Sequence, residues 1–269
     1  MPNGSRSAGL HLIAFFLLAT AASLPVGAQW ITYPTPGIPH TKDGKPDLSA
    51  PAPKTTDGKP DLSGMWYPIK TAEDAFPEFR GAFFDPGTSI NGLPYQPWAA
   101  ELVRARKANN SKDHPNAKCL PLAPPQLHTH PSNRRIIQLP GSLVTLFERD
   151  TNFRVIYTDG RPLPADPQPS WFGYSTGKWE GDVFVAETNG FKDDTWVDQI
   201  GSPMTSSGRL TERFRRVNFG ILEIEMTIND PKAYTRPWTV KIQQGLVADG
   251  QLIEWFCDDE KDQTHLVGK

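Results

Sequence analysis

The sequence has few cysteines and no excess of either charge, and both shortages exclude classes of function. Its 28 basic residues are balanced by 30 acidic ones, so it lacks the positive excess that nucleic-acid-binding domains carry. The two cysteines form neither a zinc-ligand pattern nor a CxxC redox motif. A nucleophile elbow, a phosphate-binding loop and a dinucleotide fingerprint are also missing. We therefore expect no nucleic-acid partner, no cofactor and no metal.

Long hydrophobic runs are lacking as well, apart from one near the N-terminus. Arg6 precedes an apolar stretch from Leu10 to Ala22, and a small-residue region ending at Ala28 follows it. This order is typical of a secretory signal peptide. The alternative is a membrane anchor, but the stretch is shorter than the roughly 20 residues that cross a bilayer. We predict a signal peptide at 1–28, a periplasmic or secreted protein, and no stable membrane insertion after cleavage.

Export determines how the two cysteines are interpreted. Cys119 lies in a Pro-rich segment and Cys257 in an apolar segment near the end of the chain. In an oxidising compartment such a pair is expected to form a disulfide. The alternative is two buried free thiols. A Cys119–Cys257 bond would close a loop of more than half the chain and contribute a few kcal/mol to stability.

Proline, in contrast, is abundant, with 27 residues, and the segment 29–63 is rich in it. This segment contains the heptapeptide DGKPDLS twice, at 43–49 and 57–63. Asp-Gly and Lys-Pro favour turns and extended backbone, so each copy should form one turn. Leu48 and Leu62 are too little apolar surface for the copies to stack as a repeat protein. We predict an extended Pro-rich arm at 29–63, whose first copy is a duplicated leader.

The segment after the arm is irregular, and one helix is expected in it. Pro97 begins a stretch with helix-start chemistry, and Lys and Arg lie near its end at Asn109. Trp98, Leu102 and Val103 should form its packing face. We expect the rest of 67–134 to be loops that, with this helix, cover one mouth of the fold.

The second half of the chain has the pattern of an antiparallel β protein. Residues Leu222 to Ile228 alternate strictly between apolar and polar, as in a half-buried strand. Nine strand-like runs are separated by turn residues: 136–139, 142–150, 153–160, 170–179, 182–191, 210–217, 222–230, 238–246 and 251–259. A meander of this length closes into a barrel or folds into a sandwich. We predict a single mainly β domain at 64–269, with the long connection 190–209 as a candidate site loop.

Two resemblances add to this prediction. Gly64-Met65-Trp66 resembles the Gly-x-Trp that opens the first strand of lipocalin-like (calycin) barrels, which implies that Trp66 closes the barrel bottom beside an arginine. DGKPDLSGMW at 57–66 and GKWEGDVFV at 177–185 resemble motifs of a large, uncharacterised exported bacterial family. That family brings no established activity. Its members often carry a Pro-His-Ser-acid run and a second histidine where this chain has neither, at 202–209.

The polar residues of the long connection and its neighbouring strand are candidates for acid–base chemistry. Asp193, Asp194 and Asp198 lie together with Trp196, and paired carboxylates act as acid and base when their environments separate their pKa values. The alternative is a solvated acidic loop held down by the indole. Glu187, in an otherwise apolar strand, is either a general base facing a cavity or a surface residue.

Histidine, arginine and tryptophan supply the candidates for ligand contacts. His128 and His130 form an HxH pattern in a Pro-flanked loop, which is a metal pair or a polar loop. Arg213 follows Glu212, and an inward Arg–Glu pair is either a structural ion pair or a ligand clamp. The full set of expected ligand-binding residues is Trp171, Trp179, Trp196, Arg213, His128 and His130.

The sequence thus leaves three functional hypotheses. The first is an exported protein that binds a small apolar, aromatic or sugar ligand in a barrel cavity. The second is a cofactor-independent hydrolase, lyase or isomerase that uses the loop carboxylates as acid and base. The third is a structural envelope protein.

Overall fold

A computed structural model describes residues 35–69 and 92–257. The predicted signal peptide at 1–28 lies outside the described residues, as do the beginning of the arm, residues 70–91 of the predicted loop cover and the end of the last predicted strand. The helices are α1 (Pro97–Ala108) and α2 (Pro124–Thr129), with a 3₁₀ turn at Pro115–Lys118. The strands are β1 (Gly64–Ile69), β2 (Arg134–Leu139), β3 (Ser142–Phe147), β4 (Phe153–Tyr157), β5 (Tyr174–Glu180), β6 (Val183–Asn189), β7 (Thr195–Trp196), β8 (Pro203–Met204), β9 (Arg209–Arg216), β10 (Ile221–Asn229) and β11 (Trp238–Leu246).

Nine of these strands close into a barrel in the order β1-β11-β10-β9-β6-β5-β4-β3-β2, and β7 and β8 form a separate ribbon. The predicted mainly β barrel is confirmed, and the sandwich alternative is wrong. The alternation along β10 works as expected, because Ile224 and Met226 are fully buried inside the barrel while Glu223 faces outward to Arg215 and Lys241. We call the end where β1 begins the lower end and the end where β9 begins the upper end.

One strand connection differs from the predicted meander. The described barrel pairs are antiparallel except β4 and β5, which are parallel with Ile156 opposite Ser175. Parallel neighbours cannot be joined by a tight hairpin. Residues 158–173, which we call the crossover, therefore return toward the upper end across the outside of β5 and β6. Outward-facing Val185 on β6 is only 5% exposed and lies beside the crossover in a shared groove.

The lower end is closed by Trp66, which is fully buried. Its indole N–H donates to the carbonyl of Leu62 at 3.1 Å, and the guanidinium of Arg216 lies 5.0 Å from the ring. Arg216 also donates to the carbonyls of Ser63 and Phe219. The contact between Trp66 and an arginine, expected from the calycin resemblance, is therefore present.

The two DGKPDLS copies each form one turn, as predicted. The amide of Thr41 donates to Lys45 in the first copy, and the amide of Thr55 donates to Lys59 in the second, both at 2.8 Å. The first copy also contacts the barrel, because the carbonyl of Leu48 accepts a hydrogen bond from the turn between β9 and β10.

Helix α1 begins at Pro97 as predicted, but of its expected packing face only Val103 is buried. The buried residues are Ala99 and Val103, whereas Trp98 is 47% exposed and Leu102 is only partly buried. The indole N–H of Trp98 donates to the carbonyl of Lys232 at 2.7 Å, so this ring lies at the helix edge.

The C-terminal segment contains one wrong and one confirmed prediction. The last predicted strand is not formed in its described part, where Trp255 makes only an isolated bridge to Arg149. The Cys119–Cys257 disulfide is present, with the two Cα atoms 5.4 Å apart. It joins the segment between α1 and α2 to the end of the described chain.

Candidate functional site

Helix α2 occupies the barrel mouth, although its HxH segment was predicted to be a loop. All six residues of the helix are buried. The carbonyl of His128 accepts hydrogen bonds from Arg134 on β2 at 2.6 Å and from Gln244 on β11 at 3.2 Å. The ring of His128 reaches Glu212 on β9, which lies across the barrel from β2. The helix is thus held from opposite walls.

A buried polar centre lies beneath α2. Glu212 accepts hydrogen bonds from both terminal nitrogens of Arg154 and from His128 Nε2, the last at 2.7 Å. Ser175 and Thr188 bind the outer side of the same guanidinium. These five side chains are at most 3% exposed. Arg154, and not Arg213, is therefore the inward partner of Glu212.

The charges of this centre follow from burial and neighbours. Burial by itself would raise the pKa of Glu212, but Arg154 and His128 outweigh it and hold the pKa at about 2. Burial lowers the pKa of His128, so the imidazole is neutral at pH 7. Because an ionised carboxylate only accepts, His128 carries its proton on Nε2. Its Nδ1 has no hydrogen-bond partner in the described structure.

Buried side chains of the described strands pack inside the barrel. Phe184, Phe214 and Leu222 are buried together with Trp66 at the lower level, and the polar centre occupies the level above. The internal ligand cavity expected from the sequence stays a prediction. The two grooves described next lie on the outer wall.

Two grooves lie between the crossover and the outer wall. The upper groove has a volume of about 320 Å³ and is lined by Ala165–Pro167, Pro169, Asn189–Phe191 and Ser206–Arg209. The lower groove has a volume of about 220 Å³ and is lined by Gly160–Leu163, Thr176–Lys178, Val185 and Glu187. The upper groove therefore uses both ends of the predicted site loop at 190–209.

Asn189 stands at the boundary between the two grooves. Its Nδ2 donates to the carbonyl of Pro164 at 2.7 Å, which ties the crossover to β6. Its Oδ1 is buried and has no hydrogen-bond partner among the described residues. Gly190, with φ of +74°, lets the crossover approach closely, since a Cβ there would lie 2.4 Å from Pro167. The upper groove is thus held in one shape by an amide and a glycine.

The four predicted acid–base carboxylates do not converge. Asp193 is exposed and accepts from the amide of Ser206, a bond that lowers its pKa, and Asp194 is exposed beside it. Asp198 is fully buried and accepts from Ser202, and burial raises its pKa. Glu187 lines the lower groove. Asp193 and Asp198 have opposed pKa shifts, but neither lines a described groove.

The predicted aromatic ligand contacts are also dispersed. Trp196 is buried between Arg106, 4.1 Å from the ring, and His114, 4.7 Å away. Trp179 packs on Phe184 in the core at 5.3 Å. Trp171 is partly exposed, with the ammonium group of Lys192 5.2 Å from its ring.

The remaining two predicted ligand contacts, His130 and Arg213, have different partners. His130 bonds Ser132 and lies 5.4 Å from Trp255. Arg213 faces outward and pairs with Glu180 at 3.0 Å. Neither lines a described groove.

Sequence reasoning singled out Glu212 and His128 of the polar centre, and Glu187 of the lower groove. It missed Arg154 in the polar centre and Asn189 and Arg209 in the upper groove. Arg154 had a readable signal, because it shares the inward face of β4 with Ile156. Asn189 and Arg209 had no such signal in the sequence, because their neighbours depend on the path of the crossover.

Comparisons with known proteins found no similar chain. No family model, no curated protein and no solved structure matches the chain. In the described ranges no group of three or more His, Cys, Asp or Glu side chains is arranged to hold a metal ion. No helix within 35–69 and 92–257 is long and apolar enough to cross a membrane.

Proposed function

We propose that the protein is exported and binds a sugar, or a similarly hydroxylated small molecule, in the upper groove. The observation that carries this proposal is the composition of the groove wall. Ser206 and Ser207 offer hydroxyls, Arg209 offers donors and Asp166 offers an acceptor. Hydroxyl groups both donate and accept, so a hydroxylated ligand matches such a mixture.

The polarity of the wall selects among the ligand classes that a barrel protein can bind. An apolar or aromatic ligand would take the serines, Asp166 and Arg209 out of water without replacing their hydrogen bonds, which is costly. A sugar replaces these hydrogen bonds and stacks its C–H faces on the rings of Pro167 and Pro169. We therefore favour a sugar over an apolar or aromatic ligand.

The resemblance to the exported bacterial family supports binding more than catalysis. Members of that family often carry histidines in the segment that corresponds to 202–209, and four residues of this segment line the upper groove. Here serine, glycine and arginine occupy those lining positions. None of these side chains is an imidazole, the group most often used for proton transfer at neutral pH, so we assign the groove recognition and no proton transfer.

The proposal is tested by titrating the mature protein with neutral mono- and disaccharides in a calorimeter. Arg209→Ala should weaken binding about tenfold, which corresponds to the loss of one hydrogen bond from a charged donor. Gly190→Ala should weaken it further by pushing the crossover away. Arg215→Ala is the matched control, because Arg215 lies on the same strand near the lower end and pairs with Glu223. The proposal fails if no saccharide binds, or if Arg209→Ala and Arg215→Ala bind equally well.

A further inference from the structure

We propose that the ligand of the upper groove is a zwitterionic sugar, with an ammonium group that binds Asp166 and a carboxylate that binds Arg209. This inference rests on the proposed function and narrows it from sugars in general to one chemical class. Asp166 lies on the crossover, Arg209 begins β9, and both line the groove. The two side chains therefore present opposite charges to the same space of about 320 Å³.

Neither charge is neutralised within the part of the chain that the structure describes. Asp166 and Arg209 are both exposed, and their side chains form no ion pair or hydrogen bond with each other or with a further described residue. On the same strand β9, by contrast, Arg213 pairs with Glu180 at 3.0 Å. The two charges of the groove thus remain available to a ligand.

The fold places the two charges on different walls of the groove. The ladder between β6 and β9 brings Arg209 beside Asn189, one residue beyond its last pair. The crossover lies against the same end of β6, because Asn189 Nδ2 donates to the carbonyl of Pro164. Asp166 follows two residues later and belongs to the crossover wall. A ligand that binds both side chains therefore needs its own two charges on different sides of its ring.

The wall that carries Asp166 is fixed on both sides of this residue. The carbonyl of Pro164 is bound to β6, and the amide of Ser170 donates to the carbonyl of Gly190 at 2.9 Å. Between these two anchors, Pro167 packs directly on Gly190, where a Cβ would lie 2.4 Å from the proline ring. The backbone position of Asp166 is therefore set before a ligand arrives.

The wall that carries Arg209 is held by a buried carboxylate. Asp230 accepts hydrogen bonds from the amide and the hydroxyl of Thr205, at 2.6 and 3.0 Å. The hydroxyl and carbonyl oxygens of Thr205 in turn accept from the amides of Ser207 and Gly208. The turn that leads into Arg209 is thus also in place, and little conformational entropy is lost when a ligand binds between two fixed walls.

A ligand with a single charge would be attracted by one wall and repelled by the other. A carboxylate on Arg209 shares the groove with the carboxylate of Asp166, and an ammonium on Asp166 shares it with the guanidinium. Such like-charge neighbours weaken binding. A zwitterion gains on both walls and adds no net charge to the groove. The hydroxyls of Ser206 and Ser207 remain for the hydroxyls of its ring.

The test compares sugars that differ only in their charged groups: glucose, glucosamine, glucuronate and 2-amino-2-deoxyglucuronate, together with the same four in the galacto series. Each is titrated into the mature protein in a calorimeter at pH 6 and low ionic strength, where amines are protonated and carboxylic acids are ionised. An exposed ion pair contributes up to about fivefold in affinity, so the zwitterion should bind about tenfold more tightly than the neutral sugar. Each singly charged sugar should bind between these limits.

Variants assign the two charges to their walls. Asp166→Asn should remove the advantage that the ammonium group confers and leave that of the carboxylate. Arg209→Gln should do the reverse, and Arg209→Lys should keep the advantage of the carboxylate. Affinity ratios between sugars are compared within each variant, so a change common to all sugars does not enter. Arg135→Gln and Asp182→Asn are the controls, because these exposed residues line neither groove and change the net charge equally.

The outcomes separate this inference from the proposed function beneath it. The zwitterionic class is overturned if the amino uronate binds no more tightly than the neutral sugar, or if a singly charged sugar binds most tightly. It is also overturned if Asp166→Asn and Arg209→Gln leave the affinity ratios as they are in the parent. If none of these sugars binds but a neutral disaccharide does, only the zwitterionic class is lost. If no saccharide of either kind binds, the proposed function itself is overturned.

Discussion

Replacement of Glu212 by glutamine should destabilise the protein more than any conservative change at its surface. The substitution keeps the shape of the side chain and removes its charge. Arg154 would then remain a cation inside the barrel, at 3% exposure, with no carboxylate beside it. Leaving a buried charge uncompensated costs about 3–5 kcal/mol. With total stabilities of about 5–15 kcal/mol for folded domains, the variant should fold but with a reduced margin.

The unpaired charge of Arg154, and not the lost contact, should be responsible for this loss of stability. Adding Arg154→Met to Glu212→Gln removes the unpaired cation, while the glutamine oxygen at position 212 still accepts from His128. Replacing a buried ion pair by groups without charge is often nearly neutral. The double variant should therefore be more stable than the single Glu212→Gln variant, although it has lost more hydrogen bonds.

Urea unfolding of the oxidised protein at pH 7.5, followed by tryptophan fluorescence, measures both effects. With an m-value of about 3 kcal/mol/M, the midpoint of Glu212→Gln should fall by about 1 M or more. Glu223→Gln is the matched control, because Glu223 also binds an arginine but its partners are about half exposed. Equal midpoints for the two glutamine variants, or a double variant less stable than the single one, would refute the reasoning.

Three further predictions concern pH, the disulfide and the repeat. Burial, reinforced by nearby arginines, lowers the pKa of His130 from 6.5 to about 3. The contribution of His130 to stability is complete above about pH 6.5 and is lost as the pH falls toward 3, by up to about 1.4 kcal/mol per pH unit. In His130→Gln the unfolding free energy, measured by urea titration at each pH, should therefore fall less steeply, by the slope that corresponds to one proton. Cys119→Ser should lower the unfolding free energy by about 3–5 kcal/mol and make it insensitive to reductant, whereas an unchanged value would contradict a structural role for the Cys119–Cys257 bond. Deleting 43–56, which leaves one intact DGKPDLS copy, should lower the unfolding free energy measured by calorimetry by about 1–2 kcal/mol, and Trp66→Ala should lower it by about 3–5 kcal/mol. Equal losses would be inconsistent with the few hydrogen bonds of the first copy and the full burial of Trp66.

The barrel could be predicted because apolar and polar residues alternate along its strands. The crossover could not be predicted, because this alternation does not show whether two neighbouring strands run parallel or antiparallel. The inward faces of β9 and β10 follow from a period of two along residues such as Leu222 and Ile224. Whether β5 runs parallel or antiparallel to β4 depends on pairing between residues distant in sequence, such as Ile156 and Ser175. The prediction of short hairpins throughout therefore failed at the one connection that forms both grooves.

The candidate site was only partly predictable for the same reason. The connection 190–209 could be recognised as a site loop from its length and composition, and its last residues do line the upper groove. Its carboxylates were singled out because acids are visible in a sequence, yet Asp198 is used internally to hold Ser202. Asn189 is an ordinary strand residue until the crossover places the carbonyl of Pro164 against it.

The repeated heptapeptide shows how one local sequence serves two structural roles. The threonine two residues before each copy bonds both the backbone of the turn and the first aspartate of the copy, so the turn follows from the local sequence. Thr41 bonds the carbonyl of Lys45 and the carboxylate of Asp43. Thr55 bonds Lys59 and Asp57 in the same way. What differs is the chain that follows. The second copy leads into β1, and its Leu62 is fully buried, whereas the leucine of the first copy is 37% exposed.

The first copy nevertheless has a structural role. It packs against the barrel through backbone hydrogen bonds, whereas the second copy does so through the buried side chain of Leu62. Its Leu48 carbonyl accepts from the amide of Gly220, and the carbonyl of Ala50 accepts from Phe219, both at 2.8 Å. A Cβ at position 220 would lie 2.5 Å from Leu48, so this close approach requires a glycine in the β9–β10 turn. The first copy therefore satisfies two amides of the turn beside Arg216, at the end of the barrel that Trp66 closes. A leader with no such role would not need a glycine opposite it.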